Sequence, residues 1–268
     1  MNVGLLDVSA ATSALKYNWG DVFDDVSLAM TALDRAAQSA SPRQQSRIAT
    51  YRHLGAYIIS MTRVESELIT AHYYAEGTWS DFFSGDLSSM FQQTQNLSEQ
   101  LDRAKSHFRT YDSFNPKTLP VISPIPSRDT YRKKWSQFSL ELATVSAFET
   151  LSKTLHLSTQ YLAASADDYS NRDYDRARQD FQQVRQTIEN ADQTSIDVLA
   201  PSFHNFVSGF QCVKNAIYDA SKPLANSSLY ASNGAGSHAD EALSTGQKKL
   251  AQCKLALEVP AVKAIRNL

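Results

Sequence analysis

From Asp21 onward, apolar residues recur every three or four positions, at Phe23, Val26, Met30, Leu33 and Ala37, with polar residues between them. That spacing is one face of a helix. It stops at 39–41, where Ser41-Pro42-Arg43-Gln44 reads as the start of the next helix. A hydroxyl cap, a proline in the first turn and a Gln three residues on together make a capping box. The following stripe, Ile48, Tyr51, Leu54, Ile58, Met61, Leu68 and Ala75, predicts a helix over 42–76 that Gly77 ends. At ~1.5 Å per residue it reaches about 50 Å and needs a partner along its length. Trp79, Phe82 and Phe83 are expected at a corner, with Thr78 or Asp86 capping a helix over 87–109 that carries Met90, Leu97, Leu101 and Phe108.

The stretch 111–128 breaks the pattern. Pro116, Pro120, Pro124 and Pro126 exclude helix and favour an extended strap. A second long helix is predicted over 129–169 on the stripe Phe138, Val145, Phe148, Leu155, Leu162 and Ala166. After a break at Asn171-Arg172-Asp173, further helices are expected over 174–191, from Pro201 (Phe203, Phe206, Phe210, Val213, Ile217), and over 238–258. Pro223–Gly236 reads as a loop and Pro260 as a stop.

The fold class that follows is all-α: long antiparallel helical hairpins forming a bundle, with an internal duplication and a C-terminal hairpin. Stacking in the manner of an α-solenoid is the alternative. The duplication rests on laying Val64-Glu65 and His72 over Phe148-Glu149 and His156, and Phe91-Gln92-Gln93 over Phe181-Gln182-Gln183. The expected organisation is an N-terminal arm at 1–20, a helical unit at 21–111, the strap at 112–128, a second unit at 129–198, and a C-terminal hairpin and tail at 199–268. Tyr161, Ala164, Ser165, Ala177 and Phe181, around Asp173-Tyr174, resemble one tetratricopeptide helix pair. The resemblance spans about one repeat, has Glu189 where proline is expected, and recurs in no neighbouring segment, so the bundle reading stands beside it.

Composition narrows the function. A net charge of −2 lacks the basic footprint of a nucleic-acid binder. No apolar run approaches the ~18 residues of a membrane span, and 1–16 lacks the plan of a secretory signal, so a cytoplasmic protein without membrane insertion is expected. Cys212 and Cys253 are the only cysteines. As free thiols they pack like small apolar residues; a bridge between them would instead imply an extracytoplasmic, oxidising compartment.

Two constellations are candidate sites. Glu65, His72, Glu149 and His156 place a carboxylate and an imidazole on each long helix, and across a pseudo-twofold axis they form a ligand set for zinc or iron. Their seven-residue spacing is about 10 Å along a helix, wider than the Glu-x-x-His of carboxylate-bridged metal bundles. A hydrogen-bonded or solvated Glu–His pair is the simpler reading. Trp79, Phe82 and Phe83 could anchor a partner or staple their own corner. Arg132-Lys133-Lys134-Trp135 reads as a solvated helix start. Asn96-Leu97-Ser98 and Asn226-Ser227-Ser228 match the glycosylation pattern, which matters only after secretion. With no phosphate loop, nucleophile elbow, CxxC or HExxH, a non-enzymatic scaffold or protein-interaction module, self-associating or bound to another protein, is the leading expectation and no cofactor is expected. A metal or small-ligand bundle and a disulfide-bearing surface or envelope component are the alternatives.

Overall fold

A computed structural model describes residues 19–114, 128–191, 193–199, 201 and 203–268. Among these the chain is all-α: α1 (Trp19–Ala37), α2 (Pro42–Ser84), α3 (Leu87–Asp112), α4 (Arg128–Ser170), α5 (Tyr174–Glu189), α6 (Gln193–Leu199), α7 (His204–Ser232), α8 (Gly236–Leu250), a 3-10 turn (Leu255–Glu258) and α9 (Pro260–Arg266). The arm expected at 1–20 and the strap at 112–128 fall almost wholly outside the described residues. The helices α2 and α4 are each 43 residues long, but α3 and α5, which follow them, have 26 and 16.

Several helix ends share one device. Asp86 N–H donates to the Asp81 carbonyl and Gly85 N–H to that of Phe82, with Gly85 at φ +83°. This is a Schellman end, and it needs a residue in the left-handed region. The same pair of bonds closes α4 around Arg172 (φ +64°) and α7 around Gly234 (φ +73°). The helix predicted to stop at Gly77 therefore continues to Ser84. Gly77 serves packing instead: a Cβ there would stand 3.2 Å from the Gln93 side chain. Asp86 caps α3 by accepting from Ser89 N–H at 2.9 Å. The Ser41–Gln44 box forms as expected, with Gln44 Oε1 accepting from the Ser41 N–H at 2.8 Å.

The loop expected over Pro223–Gly236 is helical as far as Ser232. Its Leu224, Ala225, Ser227 and Ser228 are buried, and the Ser227 hydroxyl donates to the Ala239 carbonyl at 2.8 Å. Burial and this bond outweigh the weak helix preference of Asn, Ser and Pro. Likewise Pro260 opens α9 rather than ending a helix, because its fixed φ suits a first turn.

Two compact units emerge, and they cut across the long helices: 1–74 with 96–145, and 75–95 with 146–268. These bounds differ from the division into 21–111 and 129–198. Each of α2, α3 and α4 is shared between both units, so segments far apart in sequence pack together. In the first unit, α2 meets α3 through Tyr57 and Tyr111 (centroids 5.4 Å), α3 meets α4 through Tyr111 and Phe138 (5.3 Å), and α1 lies against α2 at Gly55. In the second, α7 packs against α5 and α8. A Cβ on Gly246 of α8 would stand 2.6 Å from Leu224 of α7, so only glycine permits that approach.

The predicted core stripe of α4 is buried at all six positions. That of α2 is only partly so. Ile48, Leu68 and Ala75 are buried, but Tyr51 is 43% exposed and Leu54, Ile58 and Met61 are half-buried. Tyr57, Val64 and Ala71 take the core positions instead.

Candidate functional site

The structure gives each member of the Glu/His quartet other surroundings. Glu65 forms an ion pair with Lys134 of α4. Glu149 pairs with Lys153 one turn on, at 2.6 Å. Burial pushes the His72 imidazole down to about 4. His156 lies flat on Phe91, centroids 4.6 Å apart and planes at 17°, and burial lowers its pKa as well. Both its ring nitrogens are buried without a hydrogen-bond partner among the described residues. No three His, Cys, Asp or Glu side chains among those residues gather as a metal-binding group.

Trp79, Phe82 and Phe83 stand on the last turns of α2, not on a corner, and Trp79 and Phe82 are only 8% and 1% exposed. Trp79 meets Phe206 of α7 edge-on at 3.7 Å, and Phe206 in turn meets Phe148 of α4 at 4.3 Å. Aromatics from three helices cover one another here. Two residues of the basic run have partners: Lys134 serves Glu65, and the Trp135 indole donates to Asp112 at 2.6 Å.

Cys212 of α7 and Cys253, beyond α8, are joined by a disulfide, with Cα atoms 5.6 Å apart. The free-thiol expectation gives way because α8 turns the chain back so that the two residues meet.

An open apolar groove lies elsewhere, between α1 and α2. The groove, of ≈ 640 Å³, is lined by Val26, Ala29, Met30 and Leu33 of α1 and by Tyr51, Leu54 and Ile58 of α2. An ion pair between Asp34 and Arg52 and the contact of Val26 and Met30 with Gly55 set the two helices antiparallel. Asp25 stands at one end of the groove and Ala36 at the other. On the outer edge of α1, Leu28 is 69% exposed, the most open large apolar side chain among the described residues. A smaller hollow of ≈ 320 Å³ with a mixed polar and apolar lining adjoins Phe23, Arg63, Glu67 and His107. There His107 Nε2 is 3.9 Å from Glu67 and the Arg63 guanidinium lies 5.9 Å from the Phe23 ring.

Sequence reasoning placed Tyr51, Leu54 and Ile58 on a core face and so missed the groove. A signal was present in α1, whose Ala29, Ala32 and Ala36 are too small to cover the Leu and Ile opposite. No protein-family model, curated protein or solved structure matches the chain. No helix among the described residues is long and apolar enough to cross a membrane.

Proposed function

We propose that the protein is a non-enzymatic helical scaffold that self-associates, the α1/α2 groove of one copy receiving a helix of a second. The observation that carries this reading is the groove itself: ≈ 640 Å³ with an almost wholly apolar lining, beside an exposed Leu28. Apolar surface of this kind is stabilised by covering it, and an amphipathic helix laid in a groove is a recurrent way to do so. Small residues on α1 let another backbone come close, while Leu28 supplies a side chain for the opposite groove. The test is the mass of the full chain across concentration, for the natural sequence and for Leu28→Glu. Association lost in the variant supports the reading; a monomer at every concentration removes it.

The Cys212–Cys253 bond favours a second reading, that of an extracytoplasmic surface or envelope component. Alkylating thiols in the native source before lysis tests it. A chain that takes up no label until it is reduced supports that placement, and one that takes up two labels at once opposes it.

A further inference from the structure

Resting on the self-association reading, we propose that the two copies meet antiparallel about a twofold axis, with Asp24 and Asp25 of each set against Arg35 and Arg47 of the other. The charges around the groove have a direction. Asp24 and Asp25 lie near the amino-terminal end of α1, and Arg35 lies near its carboxyl-terminal end. Ten residues separate Asp25 from Arg35, about 15 Å at ~1.5 Å per residue. Arg47 continues the α2 stripe of Tyr51, Leu54 and Ile58 one turn earlier. Because α2 runs antiparallel to α1, with Arg52 on Asp34 and Gly55 on Met30, Arg47 stands at the same end as Arg35. The groove thus has an acidic end and a basic end.

All four charged side chains are exposed, and none forms an ion pair among the described residues, whereas the nearby Asp34 and Arg52 are matched to each other. The outer edge of α1 carries the same order within itself: Asp24, then Leu28, then Arg35. A surface that is apolar in the middle and oppositely charged at its two ends is complementary to its own copy after a half-turn. Each acid-to-base contact is then made twice, as twofold symmetry requires. A parallel arrangement would set acid on acid and base on base, which is repulsive in both places. The occupant this pattern specifies is therefore a second copy of the chain. A helix of another protein would have to supply the opposite charge order, and it would leave unexplained why α1 has both a groove and the ridge that fits it.

The experiment uses two variants of the full chain, one Asp24→Lys with Asp25→Lys and the other Arg35→Glu with Arg47→Glu, with folding checked by circular dichroism. Analytical ultracentrifugation with one variant fluorescently labelled reads association. Each variant alone should associate at least about tenfold more weakly than the natural chain, since every cross-contact becomes like-charged. An equimolar mixture of the two should recover a heterodimer, because both ends are again opposite in sign. Raised salt should weaken the natural dimer and the mixed one alike. Variants that associate like the natural chain, or a mixture that recovers nothing, overturn the antiparallel arrangement. If Leu28→Glu still abolishes the dimer in that case, the groove reading survives it. A natural chain that stays monomeric overturns both, and would assign the groove to a different protein.

Discussion

Met30 of α1 occupies the space that a side chain on Gly55 of α2 would need: a Cβ there would fall 2.6 Å from the Met30 sulfur and 3.6 Å from a Val26 methyl. The α1/α2 contact, and with it the depth of the groove, depends on that absent side chain. Methionine is unbranched and can move aside, and alanine is about 1 kcal/mol better than glycine within a helix. Gly55→Ala should therefore change the melting free energy by less than about 1 kcal/mol. Gly55→Leu cannot be absorbed in this way. It should lift α1 and abolish self-association while leaving the rest of the first unit folded, which sizing and circular dichroism would check together.

A similar glycine should behave differently. Gly246 of α8 faces Leu224 of α7, whose branched carbon and one methyl would each lie 2.6 Å from a new Cβ. Leu224 is fully buried and has no room to move. Gly246→Ala should cost about 1–3 kcal/mol through overpacking, despite the gain in helix preference, as measured by urea unfolding.

Arg172 holds the left-handed position that glycine holds at two other helix ends. A side chain there costs roughly 1–2 kcal/mol, partly offset by the extra freedom glycine gains in the unfolded chain. Arg172→Gly should stabilise the protein by about 0.5–1 kcal/mol. A lower melting temperature would contradict the assignment.

Acid sensitivity should follow His72. Its folded pKa of about 4 lies below the ordinary 6.5, so between those values the unfolded chain binds a proton that the folded one refuses. The contribution of His72 is then constant above pH 6.5 and falls as the pH drops towards 4, by up to about 3 kcal/mol, before levelling off. His156 acts in the same direction. Glu141 opposes them. Burial raises its pKa, although the hydrogen bond from Gln137 and the nearby Lys134 pull it back, so its contribution is lost as the pH rises. In His72→Gln, the fall in stability between pH 6.5 and pH 4 should be reduced; an unchanged profile would refute the assignment to His72.

Reducing the Cys212–Cys253 bond releases a loop that spans a sequence separation of 41. The loop-entropy relation gives a loss of about 4 kcal/mol. Cys212→Ser with Cys253→Ser should melt correspondingly lower, and the reduced natural chain should match it.

Much of the fold was legible because helical period survives wherever a helix is buried on one side only. The stripe of α4 is the clearest case, and the Ser41–Gln44 box marked the start of α2 in one short motif. Gly77 and Pro223 misled for the same reason: local preference is worth about 1–3 kcal/mol, and tertiary packing outweighed it at both places. Trp79 and Phe82 were read as a corner because the sequence does not show that Phe206, more than a hundred residues later, covers them. The groove was hidden by its own composition. An apolar stripe looks the same whether its cover comes from this chain or from another molecule, and only the packing of α1 shows that Tyr51 and Leu54 are left partly open.

The central claim is that this opening is filled by a second copy. Multi-angle light scattering of the full chain at rising concentration measures it most directly. The mass should climb towards twice the 29.8 kDa of one chain, and fall back to a single chain's mass in Leu28→Glu. A mass that stays at 29.8 kDa throughout, or a dimer indifferent to Leu28→Glu, would contradict it.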